Sequence, residues 1–204
     1  MENQRSTAGR GRPREFDMDA ALECAMRLFW SRGYESTSMS DLVEALGVNR
    51  ASLYGAFGSK EALFEKVLQR YQTQFAARPF SALTEFEDGR DAISAFLMRT
   101  AEHLTDPHLP KGCLFTNAIL EAPIGPETIG RLVSNGLGTV EAAIYEAVRR
   151  SQRDAKISSD VDARALARFF VGVAQGMAVV SRISSDATAI VDMARVAMAA
   201  WPHP

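Results

Sequence analysis

The feature that most constrains this chain is residues 37–63, TSMSDLVEALGVNRASLYGAFGSKEAL, which predict two short helices joined by a glycine turn. Ser38, with Asp41 three residues later, predicts an N-terminal capping box for the first helix. Gly47 supplies the left-handed residue that ends this helix, and Asn49 caps the second. Two helices joined by a tight glycine turn form a helix-turn-helix, whose second helix lies in the DNA major groove.

The segments on either side of the motif also carry helical signals. Asp17 is the predicted cap of a helix that packs behind the motif, with apolar residues three and four positions apart. Ser59 begins a long helix that should end at Arg78-Pro79 and link the motif to the remainder of the chain. That remainder shows helical spacing and no convincing strand alternation, so the sequence predicts an all-α protein.

A specific order of residues runs through the motif. It consists of Gly47-Val48-Asn49-Arg50-Ala51-Ser52-Leu53-Tyr54, then Phe57, then Ser59-Lys60-Glu61-Ala62-Leu63, with Ala25, Leu28, Phe29, Gly33, Tyr34 and Thr37 upstream. This order resembles the DNA-binding domain of the TetR/AcrR family of transcriptional regulators, over roughly the first third of the chain. The resemblance implies an N-terminal three-helix helix-turn-helix DNA-binding domain and a C-terminal helical ligand-binding and dimerisation domain. We therefore predict a disordered basic arm over residues 1–14, a DNA-binding domain with its linking helix over 15–79, and an effector-binding and dimerisation domain over 80–204.

The recognition helix begins at Arg50, and its first turn should approach the major groove. Arg50 can pair with guanine, and Ser52 with a base edge or a phosphate. In the family, the tyrosine and lysine at the positions of Tyr54 and Lys60 usually touch phosphates, which implies the same contacts here. Helix capping alone would also explain Ser38, without a contact to DNA. The predicted DNA-contacting residues of the motif are Thr37, Ser38, Arg50, Ala51, Ser52, Tyr54 and Lys60.

The first fourteen residues are basic, although the formal net charge of the chain is −2. They contain four arginines and one acidic residue, Glu2. Local clusters of charge, and not the total, set the field that DNA phosphates feel. Such an arm either enters the minor groove of A·T-rich DNA or is simply attracted to phosphates, and both uses stay open for Arg10, Arg12 and Arg14.

The composition indicates an ordinary globular protein, because 47% of its 204 residues are hydrophobic and 24% are charged, and we expect it in the cytoplasm because nothing in the sequence suggests export. No uninterrupted apolar run approaches the ~20 residues that cross a bilayer, so we expect no membrane partner. Cys24 and Cys113 are too few for a disulfide scaffold, which fits a reducing compartment. The histidines lack the spacing of metal ligands, and no nucleophile elbow or phosphate-binding loop occurs. We therefore expect neither catalysis nor a cofactor.

Residues 161–183 predict a long helix that is apolar on two sides and must be covered on both. One cover is its own domain, and the second is either a partner chain or the rest of the same subunit. The TetR/AcrR resemblance implies a homodimer built from the last two long helices, and we favour that interpretation. The predicted interface residues are Phe169, Val173, Gly176, Met177, Val180, Ile190, Ala194, Ala197 and Trp201.

The resemblance also implies a cavity in the second domain for a small, largely apolar effector. Ligand pockets combine apolar walls with a few polar groups, and each such side chain has simple core packing as its alternative role. The predicted ligand-binding residues are Phe96, Arg99, His103, Cys113, Phe115, Asn117, Phe170 and Gln175.

The sequence therefore predicts a DNA-binding regulator, most commonly a repressor in this family, that binds a palindromic operator as a dimer and is released by a small molecule. One alternative is a repressor in which Cys113, after Lys111 and near a helix start, senses electrophiles or oxidants; its other role is that of a small buried hydrophobe. Two further alternatives are an all-helical enzyme and an all-helical interaction module without DNA binding. Retention on random DNA that falls steeply with salt would distinguish DNA binding from both.

Overall fold

Helices form every regular element in residues 17–121, 126–184 and 186–203, which are the residues that the computed structural model describes. They are α1 Met18–Arg32, α2 Met39–Leu46, α3 Arg50–Phe57, α4 Lys60–Tyr71, α5 Ala77–Glu85, α6 Gly89–Leu104, α7 Leu114–Glu121, α8 Glu127–Arg153, α9 Ala163–Ile183 and α10 Ala187–Ala197. A π-helical segment, Gln72–Ala76, joins α4 to α5, and a 3₁₀ turn, Met198–Ala200, follows α10. The all-α prediction is confirmed. The predicted arm contacts Arg10, Arg12 and Arg14 lie outside the described residues.

Helices α1 to α4 form the head of the molecule, and local capping sets where they begin. The Asp17 carboxylate accepts hydrogen bonds from the amides of Asp19 and Ala20 at the start of α1. Ser38 and Asp41 form the predicted capping box at the start of α2. The largest side chains that are fully buried in the head are Met26, Phe29, Trp30, Leu42, Leu53, Leu63, Phe64 and Tyr71. These apolar contacts hold the three N-terminal helices as one unit on α4.

The linking helix does not end at Arg78-Pro79, as predicted from the sequence. It continues through the π segment and α5 as far as Glu85. A proline inside a helix has no amide to donate, and its ring crowds the carbonyl four residues earlier, which here belongs to Phe75. Phe75 lies in the π segment, whose wider turn gives that carbonyl room. The head and the rest of the chain are therefore joined by one long helix with a π turn in it.

The second part of the molecule, which we call the body, has its core between α6, α8, α9 and α10. Helix α9 lies centrally, with Phe170 and Met177 fully buried, and Trp201 closes the core beside Phe170. By length and composition, α9 could also cross a membrane. One such helix is weak evidence for a span, because the core helix of a globular protein passes the same test. Here α9 packs against three helices of the body.

Helix α7 lies between the head and the body. Its residues Leu114 and Ala118 belong to the same hydrophobic cluster as the residues of α1 to α4. Ile129 and Val133, in the first turns of α8, join that cluster as well. The core of the head therefore includes apolar residues from the chain beyond residue 80, and α7 is the element through which the two cores meet.

Candidate DNA-binding surface and the head–body junction

Helix α3 presents one polar face to solvent and one apolar face to the head. Leu53 and Phe57 are buried and fix the helix, whereas Arg50, Ala51 and Tyr54 are exposed. A guanidinium nitrogen of Arg50 lies 3.4 Å from the Tyr54 hydroxyl, and its carbon lies 5.5 Å from the centroid of that ring. Because this pair stands at positions i and i+4, the arginine is already directed along the exposed face of the helix.

Ser52 is half-buried on the same helix, and its amide donates to the Asn49 side chain at 2.7 Å. Asn49 is therefore the cap of α3, as the sequence predicts. Of the predicted contacts on α3, Arg50, Ala51 and Tyr54 thus share the exposed face, with Ser52 at its edge.

Lys60 is the first residue of α4, the helix that follows α3 after a short turn. Its ammonium nitrogen is 4.1 Å from the centroid of the Tyr34 ring, at a distance typical of a cation–π contact. Burial, together with the nearby Glu61 and Glu35 carboxylates, raises the pKa of Tyr34 to about 12. The ring is therefore neutral at physiological pH and offers Lys60 its π face.

The structure contradicts the predicted DNA contact of Thr37, whereas that of Ser38 stays a prediction. The Thr37 side chain is 0% exposed, and its hydroxyl donates to the Gly33 carbonyl at 2.7 Å, so it cannot reach DNA. The Ser38 hydroxyl is exposed but is engaged with Asp41 at both its donor and its acceptor side. The hydrogen bonds that Ser38 donates to Asp41 are the main reason that the pKa of Asp41 is lowered. In this structure, Thr37 and Ser38 act as anchors of the α1–α2 turn and of α2.

A cluster of aromatic and titratable side chains lies where α1, α4, α6 and α7 meet. The Tyr71 hydroxyl is 2.8 Å from Nε2 of His103 and 3.3 Å from Sγ of Cys113. Trp30 packs edge-on against Tyr71, with ring centroids 4.8 Å apart, and Phe115 lies at 6.1 Å from Tyr71. Burial raises the pKa of Tyr71 well above its usual range and lowers the pKa of His103, so both groups are held neutral.

The remaining predicted ligand residues do not converge on this cluster. Phe96 and Phe170 are buried in the body core. Arg99 lies toward the surface, where it donates to the Glu85 carboxylate at 2.6 Å and lowers the pKa of Glu85 to about 2. Gln175 of α9 accepts a hydrogen bond from the Thr116 hydroxyl of α7 at 2.8 Å. Of the predicted set, only His103, Cys113, Phe115 and Asn117 come together at the junction.

Polar groups of α7 and of Gly112, just before it, hold the C-terminal part of α1 and the turn that follows at three points. The Trp30 indole donates to the Gly112 carbonyl at 3.0 Å, and the Asn117 amide donates to the Trp30 carbonyl at 3.2 Å. One turn further along α7, Oε2 of Glu121 accepts from the amides of Tyr34 at 2.7 Å and Glu35 at 3.2 Å. Sequence reasoning missed Glu121. The one local signal that could have pointed to Glu121 is its position at a helix C-terminus, where the helix dipole disfavours an acidic residue.

The predicted dimer residues divide into two groups. The first group is half-buried or exposed on α9, namely Phe169, Val173, Gly176 and Val180. The second group is buried inside the same protomer and cannot present side chains to a partner, so its assignment is corrected; it comprises Met177, Ile190, Ala194, Ala197 and Trp201. On α9 and α10, the large apolar residues that are exposed and that sequence reasoning missed are Val179, Ile183 and Val196, of which Ile183 is 84% and Val196 is 71% exposed. These three and Phe169 leave an apolar face on α9 and α10 that the protomer itself does not cover.

Two family models match the chain. Residues 21–67 match the model described as bacterial regulatory proteins, tetR family. Residues 89–197 match the model described as the tetracyclin repressor-like C-terminal domain. The first match spans most of the head, and the second spans most of the body.

The chain is also similar to named proteins along most of its length. It is 33% identical over 195 residues to the HTH-type transcriptional repressor ComR of Escherichia coli (strain K12), covering 95% of this chain and 93% of ComR. It is 28% identical over 190 residues to the uncharacterised HTH-type transcriptional regulator YezE of Bacillus subtilis (strain 168), covering 92% of this chain and 97% of YezE. A similar solved structure is a cysteine mutant of the TetR family transcriptional regulator CifR complexed with a 26-bp double-strand operator DNA. Its TM-score is 0.84 at 34% identity, covering 94% of this chain and 100% of that chain.

Proposed function

Because the chain belongs to the TetR family of bacterial regulatory proteins, which are DNA-binding transcriptional regulators and not enzymes, we propose that it is a repressor. It binds a palindromic operator as a homodimer in the cytoplasm, and a small, largely apolar molecule releases it. We assign residues 1–14 to a basic arm, 15–79 to DNA binding and linking, and 80–204 to effector binding and dimerisation.

The observation that carries the proposal is the exposed face of α3. Arg50, Ala51 and Tyr54 lie together on it, and Lys60 follows at the start of α4. A helix that is anchored by buried residues on one side and offers an arginine and a tyrosine on the other, with a lysine at the start of the next helix, suits a major groove flanked by phosphates. The arm residues Arg10, Arg12 and Arg14 add phosphate or minor-groove contacts next to it.

The uncovered apolar face of α9 and α10 supports the homodimer. Phe169, Val179, Ile183 and Val196 face solvent in the single protomer, and burying them in a two-fold interface removes apolar surface from water. A two-fold dimer presents two recognition helices, which fits an operator with two related half-sites.

The head–body junction supports release by a ligand. A ligand changes DNA affinity only if it binds one arrangement of the heads better than another. His103, Cys113 and Phe115 stand where α4, α6 and α7 meet, and Trp30 of the head contacts the same cluster. A molecule that binds between these helices therefore acts on the head directly.

Selection from a random duplex library with the purified protein tests this function. We expect enrichment of an inverted repeat, binding that weakens steeply with salt, and a particle in light scattering with the mass of two chains. Enrichment of no sequence, together with no retention on DNA even at low salt, would contradict the proposal and favour an interaction module without DNA binding.

One observation favours a second candidate function, a repressor that senses electrophiles through Cys113. The Tyr71 hydroxyl donates to Sγ of Cys113 at 3.3 Å and lies 2.8 Å from Nε2 of His103, so the sulfur has a hydrogen-bond partner that holds it in one orientation for attack on an electrophile. Sγ would add to one carbon of an activated double bond, whose π bond breaks while the thiol proton is transferred to the neighbouring carbon. The added group would press on Phe115 and Asn117, which lie beside Cys113 at the junction.

A further inference from the structure

We propose that Glu121 is a positioning residue for operator binding, which acts on Lys60 through Tyr34. This inference rests on the proposed function, because it takes Lys60 to bind a DNA phosphate. It adds a residue of α7, outside the helix-turn-helix, to the apparatus that sets operator affinity.

The first link is the contact between Lys60 and Tyr34. A lysine ammonium on a four-carbon stem samples many positions, and holding it in one of them costs rotamer entropy. The Tyr34 ring, 4.1 Å from the ammonium, restricts the lysine before DNA arrives. Tyr34 is itself buried against Phe29 and Phe64, with ring centroids at 6.0 Å and 4.8 Å.

The second link is the contact between Tyr34 and Glu121. A single carboxylate oxygen of Glu121 accepts both the Tyr34 and the Glu35 amide, which fixes the backbone that carries the ring. Gly33 stands directly before it, with φ at +92°, and a Cβ at this position would overlap Oε1 of Glu121. The turn is therefore shaped so that the carboxylate can approach the backbone closely.

The third link ties Glu121 to the body. On one side of α7, the Asn117 amide hydrogen-bonds to the Trp30 carbonyl. On the other side, the Thr116 hydroxyl hydrogen-bonds to Gln175 of α9. The charge of Glu121 at the C-terminus of α7 is unfavourable for that helix, and the two amide donors of the turn offset this cost. A shift of α7 that withdraws the carboxylate would release Tyr34 and with it the ammonium of Lys60.

A double-mutant cycle tests this inference. Operator affinity is measured by fluorescence anisotropy at several salt concentrations for the full-length wild type, Lys60→Ala, Glu121→Ala and the double variant. Glu121→Gln is the matched control, because its amide oxygen can still accept both backbone amides. Circular dichroism and thermal melting establish that each variant is folded.

We expect Glu121→Ala to weaken operator binding about three- to tenfold when Lys60 is present, and to cause no further loss in the Lys60→Ala background. The Glu121→Gln variant should bind as wild type does. The slope of log affinity against log salt should fall in Glu121→Ala toward that of Lys60→Ala, since an unsupported ammonium makes a weaker phosphate contact. A purely structural role would leave this slope unchanged.

An equal loss from Glu121→Ala in both backgrounds would overturn the inference and leave the proposed function intact. Wild-type affinity in Lys60→Ala would instead overturn the phosphate role on which it rests. If Glu121→Ala does not fold, Tyr34→Leu takes its place in the cycle, with Tyr34→Phe as the control that keeps the ring face. Additive losses there would equally overturn the inference.

Discussion

The hydroxyl of Tyr71 donates a hydrogen bond to Sγ of Cys113 across 3.3 Å. Tyr71 is the last residue of α4, which carries Lys60 at its other end, and Cys113 directly precedes α7. The half-buried thiol is therefore hydrogen-bonded to a residue of the linking helix. Chemistry at Cys113 would act on the same junction through which we propose that a ligand moves the head.

We predict that alkylation of Cys113 in the native protein releases operator DNA. The added group must displace Tyr71, because its hydroxyl contacts the sulfur, and Phe115 lies near the Tyr71 ring. The measurement titrates a thiol reagent into the protein–operator complex while following anisotropy, and maps the modified cysteine by mass spectrometry. Cys113→Ser should retain the operator under the same treatment.

Cys24 is the internal control for this experiment. It is also half-buried, but burial and then the Glu23 carboxylate raise the pKa of its thiol, so little thiolate forms. We therefore expect Cys24 to react more slowly than Cys113. Modification of Cys113 only after unfolding, or equal operator release from Cys113→Ser, would show that the residue is part of the core and not a sensor.

We predict that the stability of the protein falls as the pH is lowered from about 7 to about 5, and that His103 is a cause. Burial lowers the pKa of His103 in the folded state, so in this window the unfolded chain binds the proton more readily. The contribution of His103 to the free energy of unfolding is complete at pH values above its pKa in the unfolded chain. It is lost as the pH falls toward its lower pKa in the folded protein. Urea unfolding of the wild type and His103→Gln across this range measures it.

The matched control is His108→Gln, because His108 is exposed. His103→Gln should show a flatter dependence of unfolding free energy on pH than the wild type, and His108→Gln should not. The carboxyls with lowered pKa, such as Glu85 at about 2, titrate below this window. The same pH dependence in all three proteins would contradict the assignment to His103.

We predict that Ile183→Glu yields folded monomers, because Ile183 is exposed in the protomer and would meet water after dissociation. Val179→Glu should act in the same way. Met177→Glu is the contrasting variant: Met177 is fully buried in the body, so a charge there should unfold the chain. Light scattering and circular dichroism distinguish the outcomes, and a folded dimer of Ile183→Glu at micromolar concentration would exclude this face as the interface.

The elements that could be predicted from the sequence are those that local chemistry decides. Asp17, Ser38, Asn49 and Ser59 cap their helices because a short polar side chain reaches amides two or three residues ahead. These caps, together with the apolar spacing between them, are enough to define the helices of the head.

Other features could not be predicted because they depend on contacts between distant residues. The Glu121 carboxylate meets Tyr34 across 87 positions in the chain, and no periodicity reports such a pairing. Apolar spacing indicates that α9 has two apolar faces, but it does not say which face the protomer covers, so the prediction for Met177 is wrong. The proline rule fails at Pro79 because a π segment precedes it.

The central claim, that α3 and the start of α4 bind the operator, is tested most directly by comparing operator binding of the wild type with that of Arg50→Ala, Tyr54→Phe and Lys60→Ala. We predict that Lys60→Ala and Tyr54→Phe weaken binding to all duplexes alike, and that Lys60→Ala reduces the salt slope by about 1 for each phosphate that the lysine neutralises. Arg50→Ala should cost about 1–3 kcal/mol on the preferred operator and relax base preference at one position of each half-site. Wild-type affinity, salt slope and base preference in all three folded variants would contradict the claim.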